Sequence, residues 1–162
     1  MLRLGVVILP EHRWPIARAI WRRAEALGFD HAWTYDHLAW RSLRDAPWFG
    51  AIPTLTAVAA ATMRIRLGTL VASINFRHPV PFARELLTLD DVSGGRFTLG
   101  IGAGGTGWDA TILGKPEWSP RERVWEGRSR AALDRPARAL RPEPRSGPRV
   151  DRNVPRDPRP LR

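Results

Sequence analysis

The sequence predicts an α/β fold, namely part of a TIM (β/α)8 barrel with four parallel strands and three to four helices, followed by a disordered tail. Three observations predict it. Short apolar runs alternate with amphipathic helical patterns, which is typical of βαβ units. The alternation stops near Arg123. The chain has 162 residues, whereas a complete barrel needs roughly 200 or more.

The four predicted strands are short, mostly apolar runs, as expected for strands buried on both faces of a parallel sheet. They cover residues 4–9, 32–35, 65–72 and 96–101, and the predicted helices begin at Pro15, Phe49 and Pro79. Proline is favoured in a first helical turn, and Gly28 ends the first helix. Because the strands are predicted to be parallel, the segments that follow them should meet at one face.

A fourth helix is predicted to begin at Ser119-Pro120-Arg121-Glu122, which matches a capping box with proline at the first helical position. Its apolar periodicity fails within a turn, and arginine and proline dominate from residue 136 onward, which predicts disorder. We therefore divide the chain into the N-terminal half of a barrel, 1–123, and an Arg/Pro-rich tail, 124–162. The tail is either a natural basic linker or the product of a frame change near residues 123–127.

The net charge of +10 suggests a nucleic-acid partner, but its distribution argues against one. Residues 1–118 carry 13 basic and 10 acidic side chains, whereas residues 119–162 carry 13 and 6. The excess charge belongs mainly to the tail. Lys115 is the one lysine among the 26 basic residues, a bias that indicates a GC-rich gene more than a selected binding surface.

Several classes of protein are excluded or disfavoured by what the sequence lacks. Cysteine is absent, so disulfides and thiolate metal sites are excluded. The histidines show no paired-ligand spacing, so no metal site is expected. We find no signal-peptide pattern and no run of about 18 apolar residues. The expectation is a cytoplasmic chain without a membrane partner.

Asp36 and His37 end the second predicted strand, and Trp40 follows three residues later. A histidine at the carboxyl end of a barrel strand can give or take a proton near neutral pH. The adjacent Asp36 points to the other side of the strand, so the two side chains need not form a dyad. The alternative is a histidine that only caps the loop.

Residues 102–107 read Gly-Ala-Gly-Gly-Thr-Gly and follow the fourth predicted strand. A dinucleotide site would need this pattern after the first strand, with an acidic residue ending a later strand. That interpretation is therefore disfavoured. Small residues at this place would still let backbone N–H groups approach an anion or a flat ring closely. The alternative is a flexible turn.

The chain resembles the luciferase-like monooxygenase superfamily over roughly residues 1–123. The resemblance is carried by the segments 32–37, 67–71, 77–79 and above all 89–102, which reads LDDVSGGRFTLGIG. It implies a TIM barrel that binds FMN or the deazaflavin coenzyme F420 in the barrel mouth. It also implies an oxidoreductase or monooxygenase acting on a small organic substrate. Asp36-His37 with Trp40 is similar to the branch that uses F420.

Carried over to this sequence, the resemblance implies roles for individual residues. His37 would lie beside the ring and handle a proton, as the catalytic residue. The segment 73–75 matches the place where members carry a non-prolyl cis peptide behind the ring. Some F420-using members have a glutamate where this chain has Gly105. The cofactor-binding set implied is Asp36, Trp40, Ser73, Ile74, Asn75, Gly102, Gly104 and Gly105.

The sequence shows no pattern for the second half of the barrel. The resemblance implies that loops of that half bind much of the cofactor phosphate in members of the family. We therefore expect an impaired, truncated oxidoreductase. The alternatives are a non-catalytic barrel fragment and a nucleic-acid binder acting through the basic tail. The unpaired edges of the first and fourth strands would favour a homo-oligomer.

Overall fold

The computed structural model describes residues 2–40, 45–104 and 108–124. Its strands are β1 (Gly5–Val7), β2 (His31–Thr34), β3 (Arg66–Thr69), β4 (Ala72–Ser73), β5 (Phe97–Thr98) and β6 (Ile101–Gly102). Its helices are α1 (Trp14–Ala26), α2 (Ala51–Ala61), α3 (Pro79–Val92) and α4 (Trp108–Ile112), and residues 120–124 are also helical. The predicted tail lies outside the described residues except for Val124.

The main sheet has four parallel strands in the order β1-β2-β3-β5, which confirms the predicted α/β half-barrel. The register aligns Val6, Ala32, Leu67 and Phe97 in one row across the sheet. This row belongs to or borders the hydrophobic core that α1, α2 and α3 cover. Because side chains alternate along a strand, the next residue of each strand faces the barrel interior.

Trp33 takes up the interior face at the middle of this sheet. A β-carbon added to Gly68 on the neighbouring strand would lie only 2.3 Å from the Trp33 ring and 2.8 Å from the Thr98 carbonyl oxygen. Real β-carbons do not approach other atoms so closely. Gly68 is therefore needed for the indole ring to lie across β3.

The third and fourth predicted strands are each interrupted, which the sequence did not predict. A second parallel pair, β4-β6, forms beyond the interruptions. The Gly100 carbonyl oxygen accepts hydrogen bonds from Ala72 N–H (2.7 Å) and from the Thr69 hydroxyl (2.8 Å). These bonds connect the β3-β5 pair to the β4-β6 pair. The cis peptide lies between Leu70 and Val71, so its predicted position at residues 73–75 was wrong. A cis bond between non-proline residues has no reliable sequence signature.

The end of the half-barrel opposite the strand carboxyl ends is held by two charged side chains. Arg96 donates hydrogen bonds to carbonyl oxygens of Ala59, Thr62, Ile65 and Ser93 and to the Thr62 hydroxyl. Two of these carbonyls belong to the last turn of α2 and its C-cap, which lack helical partners. The Glu25 carboxylate accepts the N–H groups of residues 63–65, at the start of β3.

Candidate functional site

The carboxyl ends of β2, β3, β4 and β6 border one cleft of about 350 Å³. This volume lies within the range of about 300–1,000 Å³ that is usual for small-molecule sites. The cleft is lined by Tyr35, Asp36, His37, Trp40, Leu70, Val71, Ser73, Gly102, Ala103 and Gly104. Six of the sequence-predicted site residues are therefore brought together, as expected from parallel strands that end at one face.

Three predicted site residues do not line this cleft in the described part of the chain. The Ile74 side chain packs against the hydrophobic core. Asn75 lines a smaller neighbouring cavity, and its side-chain amide donates a hydrogen bond to the Ala103 carbonyl oxygen. Gly105 lies outside the described residues. Leu70 and Val71 border the cleft and were not predicted, since nothing in the sequence marks a cis peptide there.

Backbone atoms form much of the wall contributed by β6 and the residues after it. A β-carbon on Gly102 would lie 2.6 Å from a Val71 methyl carbon, and one on Gly104 would lie 2.6 Å from the Ser73 hydroxyl. Gly104 also has a φ of 79°, which side chains rarely allow. The two glycines therefore let this backbone pack against Val71 and Ser73 more closely than any side chain would allow.

His37 is fixed by contacts on both its ring and its backbone. Its Nδ1 lies 2.8 Å from Oδ2 of Asp109, and Trp48 Nε1–H donates to its carbonyl oxygen at 2.7 Å. The Trp40 ring lies against the imidazole, with 4.8 Å between ring centroids. Tyr35 is 5.0 Å from Trp40 by the same measure. The orientation of His37 is thus fixed by these two hydrogen bonds and by its contact with the Trp40 ring.

Asp109 lies in α4, an element that the sequence did not predict. It is only 8% exposed, and its second oxygen accepts Leu38 N–H at 2.7 Å. No local signal could have paired it with His37, because the two residues are 72 positions apart. A predicted helix after the glycine-rich run would have placed Asp109 near the strand ends. Residues 108–112 show no clear helical pattern, so the sequence did not predict it.

Asp36 is 3% exposed and faces Arg77 rather than His37. Its carboxylate oxygens each lie 2.8 Å from a guanidinium nitrogen of Arg77, and one also accepts Ser73 N–H at 3.1 Å. The Arg77 guanidinium lies over the rings of Phe76 and Phe82 at 4.5 and 4.4 Å. Burial of a carboxylate is costly without such a partner. The carboxylate therefore ties the end of β2 to β4 through Ser73, and to the segment before α3 through Arg77.

Among the described residues, no group of His, Asp and Glu side chains has an arrangement suited to a metal ion. None of the helices in this part of the chain is long and apolar enough to span a bilayer.

The chain is similar in sequence and in structure to several known proteins. The family model for luciferase-like monooxygenases matches residues 2–144. This match extends past residue 123, and the predicted domain boundary there stays a prediction. An F420-dependent glucose-6-phosphate dehydrogenase of Beutenbergia cavernae is 39% identical over 139 residues, which cover 82% of this chain and 40% of that protein.

A second curated relative is the 4-hydroxyprotoasukamycin monooxygenase of Streptomyces nodosus subsp. asukaensis, 34% identical over 67% of this chain and 30% of its own length. Among solved structures, the coenzyme F420-dependent tetrahydromethanopterin reductase from Methanopyrus kandleri superposes with a TM-score of 0.62 at 26% identity. That alignment covers 78% of this chain and 38% of the reductase. The chain thus spans about 30 to 40% of the length of these relatives.

Proposed function

The chain belongs to the luciferase-like monooxygenase family, and we propose that its cleft binds the flavin-type ring of coenzyme F420 or FMN for the oxidation or reduction of a small organic substrate. Two of the relatives, the Beutenbergia dehydrogenase and the Methanopyrus reductase, are named for their dependence on F420. The observation that carries the proposal is the cleft itself. It lies at the carboxyl ends of parallel strands, where barrel enzymes have their sites.

The residues present fit a flat ring. Gly102 and Gly104 present backbone atoms to the cleft, and the aromatic rings of Tyr35 and Trp40 also line it. The cleft combines apolar groups such as Leu70 and Val71 with a few polar ones such as His37, which is usual for small-molecule sites. When bound, the ring supplies hydride transfer, while the protein supplies orientation and polarity.

We assign proton transfer in the cleft to His37. Trp40 and Asp36 would position groups of the cleft without exchanging protons. His37 would accept or release a proton at the substrate, since an imidazole can do so near neutral pH. Trp40 would hold the imidazole from one side, at 4.8 Å between centroids. Asp36 would act through the backbone of Ser73, to which it is bonded, and so fix the cleft wall.

The test is an equilibrium titration of the full 162-residue chain with F420 and, separately, with FMN. We expect saturable binding in the micromolar range for at least one of them, followed by quenching of cofactor or tryptophan fluorescence. Gly102→Val should raise the dissociation constant at least about tenfold, because the added side chain would clash with Val71 and displace this cleft-lining residue. That factor corresponds to about 1.4 kcal/mol.

Gly50→Ala is the matched control, since a β-carbon there makes only an ordinary contact of 3.4 Å with Pro53, outside the cleft. It should leave the affinity unchanged. The proposal fails if neither cofactor binds the wild-type chain. It also fails if Gly102→Val binds as tightly as the wild type.

We further propose that a second copy of the chain covers the exposed strand edges of the half-barrel. In the described residues, β1 has one neighbouring strand only, and the apolar side chains of Val7 and Ile101 are 41% and 55% exposed. Unpaired edges and exposed apolar surface favour association. Sedimentation equilibrium should show a dimer that Ile101→Lys converts to monomer, and a monomeric wild-type chain would refute the proposal.

A further inference from the structure

We propose that Asp109 is a positioning residue that holds the proton of the neutral His37 imidazole on Nδ1 and leaves Nε2 as the proton acceptor. This inference rests on the proposed function for its catalytic meaning. The tautomer itself can be measured without any cofactor.

A hydrogen bond joins the His37 and Asp109 side chains. His37 Nδ1 lies 2.8 Å from Oδ2 of Asp109. An ionised carboxylate can only accept hydrogen bonds, so the proton of this bond must reside on Nδ1. A neutral imidazole carries one proton, and its other nitrogen then has a free lone pair. The geometry thus selects the tautomer in which Nε2 is basic.

The orientation of the Asp109 side chain is itself restrained by a second hydrogen bond and by burial. Its Oδ1 accepts Leu38 N–H at 2.7 Å, and the residue is 8% exposed. Leu38 follows His37 in the chain, so one carboxylate is hydrogen-bonded both to the imidazole and to the backbone next to it. Carboxylates that orient a functional histidine commonly act in this way.

Two tryptophans also restrain His37. Trp40 lies 4.8 Å from it between ring centroids, and Trp48 holds the His37 carbonyl oxygen through Nε1–H at 2.7 Å. The ring is therefore confined by an aromatic face as well as by the carboxylate. Asp36, adjacent in sequence, cannot serve instead because its oxygens are engaged by Arg77 and Ser73.

The decisive variant is Asp109→Asn, which changes hydrogen-bonding character and almost no volume. The asparagine carbonyl oxygen can keep the bond from Leu38 N–H, but its amide then presents N–H groups to His37 Nδ1. The imidazole should respond by moving its proton to Nε2. Asp109→Glu restores a carboxylate and should return the proton to Nδ1.

The readout is the ¹⁵N chemical shift of both imidazole nitrogens in the labelled full chain, at a pH where the ring is neutral. His37→Gln identifies the signals that belong to this residue among the four histidines. Asp91→Asn, the same change at an exposed position of α3, is the control and should leave the shifts unaltered. A purely structural role for Asp109 would not reverse the order of the two signals.

We expect the wild-type chain to show a protonated Nδ1 and Asp109→Asn a protonated Nε2. A wild-type His37 with its proton on Nε2, which needs no variant to be observed, would overturn the inference. So would an Asp109→Asn chain that folds as the wild type does and keeps the Nδ1 proton. If the tautomer is as expected but neither F420 nor FMN binds, the proposed function fails while this inference stands.

Where a cofactor binds and turnover is measurable, Asp109→Asn should lower kcat by about 10² to 10⁴-fold, the loss expected when a histidine base is held in the wrong tautomer. The cofactor affinity should stay within about twofold, since Asp109 is not among the groups that line the cleft. An unchanged kcat would contradict the role assigned to Asp109.

Discussion

Arg96 offers the sharpest test of how this half-barrel is held together. Its guanidinium donates to five acceptor atoms, four carbonyl oxygens and one hydroxyl, at distances of 2.7 to 3.1 Å. Arg96→Met keeps the aliphatic stem and removes all these donors. An acceptor left unsatisfied in the interior costs about 1–3 kcal/mol, and water can reach some of these because Arg96 is partly exposed. We expect a loss of about 3–5 kcal/mol in the free energy of unfolding.

Such a loss is a large share of the roughly 5–15 kcal/mol that stabilises a folded domain. Urea unfolding followed by circular dichroism measures it, with the midpoint falling at an unchanged slope. Arg84→Met, at an exposed position of α3, is the control and should change the free energy by less than about 0.5 kcal/mol. If Arg96→Met costs less than about 1 kcal/mol, Arg96 does not hold the C-terminal end of α2 in the way the contacts indicate.

Three further predictions concern the same fold. Gly68→Ala should destabilise by about 1–3 kcal/mol, because its β-carbon would lie 2.3 Å from the Trp33 ring; calorimetry should show the fall in Tm, and an unchanged Tm would contradict the packing. Asp36→Asn should cost about 3–5 kcal/mol in urea unfolding, since it leaves the Arg77 guanidinium without its counter-charge, and a neutral outcome would refute that dependence. Burial raises the pKa of the Glu25 carboxyl, but hydrogen bonds from the N–H groups of residues 63–65 outweigh this and hold the pKa below its ordinary value of 4.5. Its stabilisation is therefore present above about pH 4.5 and lost as the pH falls through the lower folded-state pKa; Glu25→Gln should flatten this acid limb in pH-dependent unfolding, and an acid limb of unchanged depth would contradict the assignment.

The backbone of the half-barrel could be predicted from the sequence because its signals are local. Pro79 opens α3 where predicted, and the first strand and helix follow from an apolar run and a helical stripe. The parallel direction of the strands was also predicted, from their alternation with helices. The interruption at Leu70–Val71 could not be predicted, because residues 65–72 keep the composition of one continuous strand.

The cleft was predictable only in part. Asp36 and His37 follow a strand end, which is a local signal, and both reach the cleft. Their partners do not follow from the sequence, since Arg77 is 41 positions from Asp36 and Asp109 is 72 positions from His37. Ile74 was expected at the cleft, but it follows the cleft-lining Ser73 and its side chain packs against the core on the other side.

We propose that the face formed by the strand ends holds a flat redox ring against His37 and Trp40. The most direct test is nuclear Overhauser contacts between the ring protons of bound F420 or FMN and side-chain protons of the isotope-labelled full chain. Contacts to His37 and Trp40 are the predicted result. A bound ring with no contact to either residue, or with contacts only at the outer helices, would contradict the claim.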